Sequence, residues 1–193
     1  EIGVRLVGSE MCIRDRYFDL SIRRIEIKKP KRDLKPVIKL QDEVNKTLLH
    51  DEYYYPTDER TIQECLDGDY ILLGVYNKDK LIAASFAFEG GLFFSKPITD
   101  WMEIPGNKIM CHEFVVVDME YRGNGIQKRF MDATIREARQ MGYDTIWCCA
   151  HPNNTPSVCS IESTGYKFAD QFVVDGWPRN VYYRSTSLSL YTH

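Results

Sequence analysis

Residues Met110 to Gln127, MCHEFVVVDMEYRGNGIQ, constrain this chain most, because an apolar run breaks into a glycine-rich turn that opens a helix. Val115 to Val117 are β-branched and uninterrupted, as in a strand covered on both faces. Gly123 and Gly125 lack a Cβ and let several N–H groups turn toward one anion. Ile126, Phe130, Ile135 and Ala138 then recur near helical spacing, which puts the turn at a helix N-terminus, where unpaired donors and the dipole favour negative charge. The stretch predicts a bound diphosphate.

The 193 residues, 44% hydrophobic and 27% charged, suit one domain with a full core. No apolar run approaches the roughly 18 to 20 residues needed to cross a bilayer, and the N-terminus lacks the charge-then-apolar order of a secretory signal, so the expected location is cytoplasmic. The six cysteines have no CxxC spacing and are expected as reduced core thiols, with the neighbours Cys148 and Cys149 pointing to opposite faces of a strand. Histidines at 50, 112, 151 and 193 form no metal-ligand pattern, and no metal is expected. Arg23 to Lys39 holds eight basic and two acidic residues, whereas Asp42 to Asp69 holds nine acidic and two basic. No aromatic-rich stripe accompanies the basic segment, which argues for a solvated face over a nucleic-acid site.

The element order follows from periodicity and breakers. A strand is expected over Ser21 to Lys29, a helix over Asp33 to Leu49 with Val37, Leu40, Val44 and Leu48 on its apolar face, and a second helix N-capped by Thr57 and stopped at Gly68. Tyr70 to Tyr76 and Lys80 to Phe88 read as strands joined at Asn77-Lys78-Asp79. Gly90 to Asn107 reads as an excursion with a short helix at Thr99 to Met102. After the glycine turn and its helix come a strand at Asp144 to Ala150, a helix at Asn154 to Thr164, and strands at Tyr166 to Val174 and Val181 to Leu188, with Trp177-Pro178 as a turn anchor. The expected fold is therefore α/β: a mixed, mostly antiparallel central sheet of about seven strands with four or so helices and a parallel pair at the glycine turn. Ligands of such sheets bind at the carboxyl ends of strands.

No Gly-Lys-Ser/Thr follows the turn, and Lys128 stands where a dinucleotide fingerprint has its third glycine, so neither nucleotide hydrolysis nor hydride transfer fits. The stretch resembles the acetyl-CoA-binding motif of the GNAT superfamily of N-acetyltransferases, Arg/Gln-x-x-Gly-x-Gly/Ala, with Arg122, Gly125 and, departing from the usual small residue, Gln127. Downstream, HPNNTPSVCSIESTGYKF resembles the superfamily's later motif at Asn154, Ser157, Gly165 and Tyr166. The resemblance covers Met110 to Phe168 by motif and the rest from Ser21 by element order. It implies a GNAT-like fold that uses acetyl-CoA as co-substrate. Main-chain groups of Val115 and Val117 would meet the pantetheine arm, the amides of Gly123, Asn124, Gly125, Ile126 and Gln127 would hold the pyrophosphate, and Val116 and Arg122 would also lie at the cofactor. Asn154 and Ser157 would lie at the cofactor, although both also suit helix capping.

An amine with a pKa near 10.4 is only about one part in 2,500 neutral at pH 7, so acetyl transfer to it needs a proton acceptor. Glu113, upstream of the valines, is the expected general base, acting through water; a glutamate paired with a surface cation is the alternative. His112 ranks second and points to the opposite face in a regular strand. An N–H of Val115 or Val116 would stabilise the oxyanion. Where the superfamily often has a tyrosine acid, seven residues after the motif asparagine, this chain has Ile161; Tyr166 and Cys159 are the substitutes to examine. His50 to Tyr55 and Gly90 to Trp101 would wall the acceptor site, with Asp51, Glu52 and the tyrosines suited to a cationic amine.

The expected function is acetyl-CoA-dependent transfer to a primary amine of a small molecule or protein, with a non-catalytic acyl-CoA sensor as the alternative. A second copy of the chain is an open partner. Glu1 to Arg16 shows no clear period and resembles a translated sequencing-adapter scar, leaving residues 17–193 as the N-acetyltransferase domain. Deleting Glu1 to Arg16 is expected to leave the melting temperature and the rate of thiol release from acetyl-CoA unchanged; a drop in either contradicts the assignment.

Overall fold

The computed structural model describes residues 21–24, 34–90, 92–93, 96–97 and 108–187. The leader at 1–16, the continuation of the first strand at 25–29, the helix expected at Thr99 to Met102, and Leu188 lie outside them.

In chain order the elements are β1 (Ser21–Arg24), α1 (Lys35–Asn45), a 3-10 turn at Asp51–Tyr53, α2 (Glu59–Cys65), β2 (Tyr70–Asn77), β3 (Lys80–Glu89), the two-residue strands β4 (Leu92–Phe93) and β5 (Lys96–Pro97), β6 (Ile109–Val117), a 3-10 turn at Met119–Tyr121, α3 (Ile126–Gln140), β7 (Thr145–Ala150), α4 (Thr155–Ser163), β8 (Lys167–Val174) and β9 (Trp177–Ser185). Seven strands form one sheet in the order β1-β2-β3-β6-β7-β9-β8, while β4 and β5 pair separately within the expected excursion. Among the described strands of this sheet only β6 and β7 run parallel. The mixed, mostly antiparallel architecture is the one the sequence implies.

Helices cover both faces. On one side α1 buries Val37, Leu40, Gln41 and Val44 at the i, i+3, i+4, i+7 spacing of a single stripe, and together with Ile62 of α2 they meet Leu72, Phe86, Phe114 and Val116 of the sheet. On the other side Ile126, Phe130, Met131 and Ile135 of α3 pack with Ile161 of α4 on Ile71, Met110, Ile146 and Cys148. Leu48 falls beyond the end of α1, because that helix stops at Asn45.

Three local expectations are corrected. The N-cap of α2 is Asp58, whose carboxylate accepts from the Thr61 amide at 3.0 Å; Thr57, one residue earlier, is free for another partner. Strand β9 starts at Trp177, because Asp175 and Gly176, both at positive φ, make the hairpin turn. Pro178 is tolerated there, since it lies past the end of β7 and no ladder on that side needs its missing N–H. Of the cysteines, Cys111 and Cys148 are buried but Cys149 and Cys159 are exposed, so only the first two are core thiols.

Phe86 is fully buried and its ring lies 5.7 Å from that of Phe114. Phe86→Ala is expected to cost about 3–5 kcal/mol in urea unfolding, whereas Leu49→Ser, at a side chain 95% exposed, should stay within about 0.5 kcal/mol. An equal effect of the two would contradict this description of the core.

Candidate active site

Strands β6 and β7 are fastened at one end and open at the other. Below them the Lys108 amide donates to the Asp144 carboxylate at 3.0 Å, and the Asp144 amide donates to the Lys108 carbonyl at 2.8 Å. Lys108 Nζ also lies 3.1 Å from Asp69 and 4.2 Å from the centre of the Tyr143 ring. The parallel ladder then runs only from Ile109↔Thr145 to Cys111↔Trp147. Beyond it β6 continues with β3 and β7 with β9, leaving a wedge between their carboxyl ends.

Register explains the parting. Phe86 pairs with Phe114 and Ala87 with His112, so Glu113 is an extra residue, a β-bulge that bends β6. The bulge also flips the alternation of side chains. Met110 packs beneath α3, yet Phe114 and Val116, which would share its face in a regular strand, pack beneath α1 and α2. His112 stays on the α3 side, bonded through Nε2 to Ser85 Oγ at 2.7 Å, while Glu113 turns to the α1 and α2 side. Burial pushes His112 down to about 4, so the imidazole is neutral.

On the far edge of the wedge, the Asp118 amide donates to the Ile82 carbonyl at 2.9 Å. Alternation then directs the main-chain groups of Val116 toward β3 and those of Val115 and Val117 into the wedge. Val116 is 1% exposed and its amide belongs to the ladder, which removes it from the oxyanion and cofactor sets expected from sequence.

The loop after β6 is held by side chains. Arg122 Nε donates to the Val117 carbonyl at 3.2 Å, Asn124 Nδ2 to the Tyr121 carbonyl at 2.9 Å, and Asp118 accepts from the Glu120 amide at 3.1 Å. Arg122 spends its own amide on the Met119 carbonyl at 3.3 Å, so the free donors begin at Gly123. The next six amides, Gly123 to Lys128, have no partner among the described residues, and α3 begins without a side-chain cap. Gly123 and Gly125 sit at φ +80° and +66°, and a Cβ on either would meet nothing within 4 Å. Backbone conformation requires these glycines, and the space in front of the amides is open. Ile126 contributes its amide only, since its side chain lies in the core.

Gln127 Nε2 donates to Ser157 Oγ at 3.0 Å, tying the start of α3 to the start of α4. Asn154 caps α4 through the Ser157 amide at 3.4 Å and reaches the Tyr53 carbonyl, also at 3.4 Å. Asn154 therefore does the capping its type allows, while the Ser157 hydroxyl receives Gln127, both at the mouth of the wedge.

Glu113 lies on the opposite wall. It is exposed to solvent yet ringed by protein, so it lines a concavity. Thr57 Oγ1 donates to it at 3.0 Å and Cys111 Sγ at 3.6 Å. Desolvation raises its proton affinity above the ordinary carboxyl value, and the two hydrogen bonds oppose that rise. Thr57 is itself fixed by Gln41 of α1, which is 1% exposed: the amide side chain donates to the Thr57 carbonyl at 3.2 Å, accepts from the Thr57 amide at 3.3 Å, and accepts from the Tyr54 hydroxyl. Sequence reading missed both residues, because nothing local distinguishes a buried Gln41 from a solvated one.

A chain of rings crosses the mouth on this side. His50 and Tyr53 are 4.7 Å apart between centroids, Tyr53 and His151 5.3 Å, and His151 and Trp177 6.5 Å. Glu52 lies 3.4 Å from His50 Nδ1. Of the other expected wall, most of Gly90 to Trp101 lies outside the described residues. The candidate acids do not converge here: Tyr166 is a core residue beneath α3, as is Ile161 at the usual tyrosine position, and Cys159 is exposed on α4. Among the described residues no helix is long and apolar enough to cross a membrane.

Comparison with curated protein sequences returns no significant match. Among solved structures, the ribosomal-protein-S18-alanine N-acetyltransferase from Escherichia coli superposes with a TM-score of 0.61 at 16% identity, covering 90% of this chain and 98% of that one. An N-acetyltransferase from Staphylococcus aureus Mu50 gives 0.65 at 16% identity, covering 88% and 99%. The NatC complex, solved with Gag peptide and CoA, gives 0.65 at 11%, covering 86% and 98%. These likenesses establish the shared fold. Residues 38–166 match the acetyltransferase (GNAT) family, a span that holds the glycine turn, the wedge and Glu113, and the chain belongs to that family.

Proposed function

We propose that the chain is an acetyl-CoA-dependent N-acetyltransferase in which Glu113 accepts, through water, the proton of a primary amine. The observation that carries this reading is the run of six unpaired amides at the uncapped start of α3, facing open space beside a parted strand pair. Donors so placed suit the pyrophosphate of coenzyme A. The inward main-chain groups of Val115 and Val117 suit the amides of the pantetheine arm, and Asn154, Ser157 and Gln127 form the rim.

The amine enters from the side of α1 and α2, where Glu113 and the ring chain lie. The ammonium gives one proton to Glu113 through water, its freed nitrogen bonds to the acetyl carbon as the carbon–sulfur bond breaks, and the second proton shed by nitrogen passes through water to the departed thiolate. The Val115 N–H is the donor for the transient oxyanion, a contribution of roughly 3–4 kcal/mol in comparable sites. Sulfur leaves as a thiolate whose pKa near 8.5 lies only about 1.5 units above neutrality, so the burial of Ile161 where a tyrosine acid is expected costs the reaction about 2 kcal/mol. That same isoleucine favours a second reading, a module that binds acyl-CoA without turnover.

Glu113→Gln separates the two. For an enzyme, kcat is expected to fall about 100-fold or more while CoA affinity by calorimetry changes less than about twofold. A wild-type protein that binds CoA but releases no thiol with any amine supports the sensor.

The pH profile follows from the raised proton affinity of Glu113. The base works only when ionised, so kcat/KM should climb along an acid limb displaced above the ordinary carboxyl value of 4.5, and Glu113→Gln should abolish that limb. The same shift acts on stability. A carboxyl held above its unfolded value favours the folded state while protonated, and this contribution disappears as pH rises from about 4.5 through the folded value. Glu113→Gln should therefore gain stability relative to wild type across that window, and equal melting curves throughout it would contradict the assigned environment.

Gly125→Val tests the cradle. Positive φ strains a β-branched residue by about 1–2 kcal/mol, and CoA affinity should drop at least about tenfold as the amides turn away.

A further inference from the structure

The face of the sheet that carries Glu113 also carries a cation with no counter-ion among the described residues. Cys149 of β7 pairs with Val181 of β9 and Ala150 with Asn180, so Arg179, two residues from Val181, leaves the sheet on the same side as Cys149. Its neighbours there are Trp177, two residues further along β9, and His151, whose ring lies 6.5 Å from that of Trp177. Arg179 is only 9% exposed. Its one hydrogen bond runs from Nη1 to the carbonyl of the adjacent Pro178 at 3.3 Å, and no carboxylate of the described residues comes within ion-pair distance.

A guanidinium has five donors and a permanent charge, and burying it without an anion is costly. Its positive charge lowers the proton affinity of the Cys149 thiol and of His151, two residues apart at the end of β7. Glu113 raises and Arg179 lowers the proton affinity of the Cys149 thiol. Both charges stand on one face of the sheet, on the strands that flank β7.

We infer that Arg179 binds the carboxylate of the acetyl acceptor, which makes the acceptor a free amino acid presenting its ammonium toward Glu113 and its carboxylate toward Arg179. This rests on the acetyltransferase reading and adds the substrate class. Planar N–H pairs of arginine match a carboxylate two-to-two. A phosphate of coenzyme A is the other anion to consider. The glycine turn, however, belongs to α3, which packs on the face of Ile146 and Cys148, whereas Arg179 leaves from the face of Cys149. Tyr53, His151 and Trp177 offer apolar ring surface to the side chain of the amino acid.

The test presents the full chain with acetyl-CoA and a panel of amino acids, each as free acid and as carboxamide, and follows thiol release. A parallel calorimetric titration of the CoA-bound protein uses the corresponding N-acetyl amino acids, which keep the carboxylate and lack a reactive amine. At least one free acid should exceed its carboxamide in kcat/KM by about tenfold to a hundredfold. Arg179→Gln should raise KM for that acid about tenfold or more, leave the carboxamide and the affinity for CoA within about twofold, and abolish binding of the N-acetyl acid; Arg179→Lys should recover part of each loss. Equal use of acid and carboxamide overturns the inference, as does a loss shared by both, a fall in CoA affinity, or N-acetyl acid binding that is absent or indifferent to Arg179. Failure of the acetyltransferase reading looks different: no thiol release from any amine, with N-acetyl acid binding still dependent on Arg179.

Discussion

The parting of β6 from β7 is the constraint on which the site depends. Two adjacent parallel strands ordinarily satisfy each other's main chain along their whole length, and here they do so only for three residue pairs. The closed end is held by reciprocal Lys108 and Asp144 bonds and by Lys108, Tyr143 and Asp69 around them. Above it, the extra residue at Glu113 bends β6 toward β3, which leaves Val115 and Val117 with main-chain groups facing a gap. Buried unpaired amides and carbonyls are costly, so such a gap is stable only beside solvent or a ligand that replaces the lost ladder. The glycine turn at the end of the same strand adds six more donors to the same opening.

The bulge also decides which carboxylate and which imidazole belong to the site. His112 and Glu113 are adjacent and chemically competent for proton transfer, yet they are placed in opposite environments. His112 is sealed beneath α3, bonded to Ser85 and neutral; Glu113 lines a concavity, bonded to Thr57 and Cys111. Because Phe114 then shares the side of Glu113, the ring packs between β6 and α1 and fixes the strand just beyond the carboxylate.

Much of the fold was legible because its signals are local. The valine run, the paired glycines and the helical stripe of α3 each announce themselves within a few residues, and the motif around Asn154 and Ser157 adds the second anchor. The bulge was not legible, since it is a mismatch between β6 and its partner β3 rather than a property of MCHEFVVV. The one-residue error at the cap of α2 arose because Thr57 and Asp58 both suit that role, and only the tertiary demand of Glu113 separates them. Arg179 was not legible because Trp177-Pro178 reads as a turn and the last strand as starting at Val181; once β9 starts at Trp177, alternation alone sets Arg179 beside Cys149.

Gln41 gives this arrangement a lever arm. Its amide holds Thr57 by both main-chain groups, and Thr57 in turn lowers the proton affinity that desolvation raises at Glu113. A slide of the first helix along the sheet, even by a fraction of a turn, would withdraw the hydroxyl and leave desolvation less opposed. The acid–base character of the cleft is thus geared to the seating of a helix that never touches the reacting atoms.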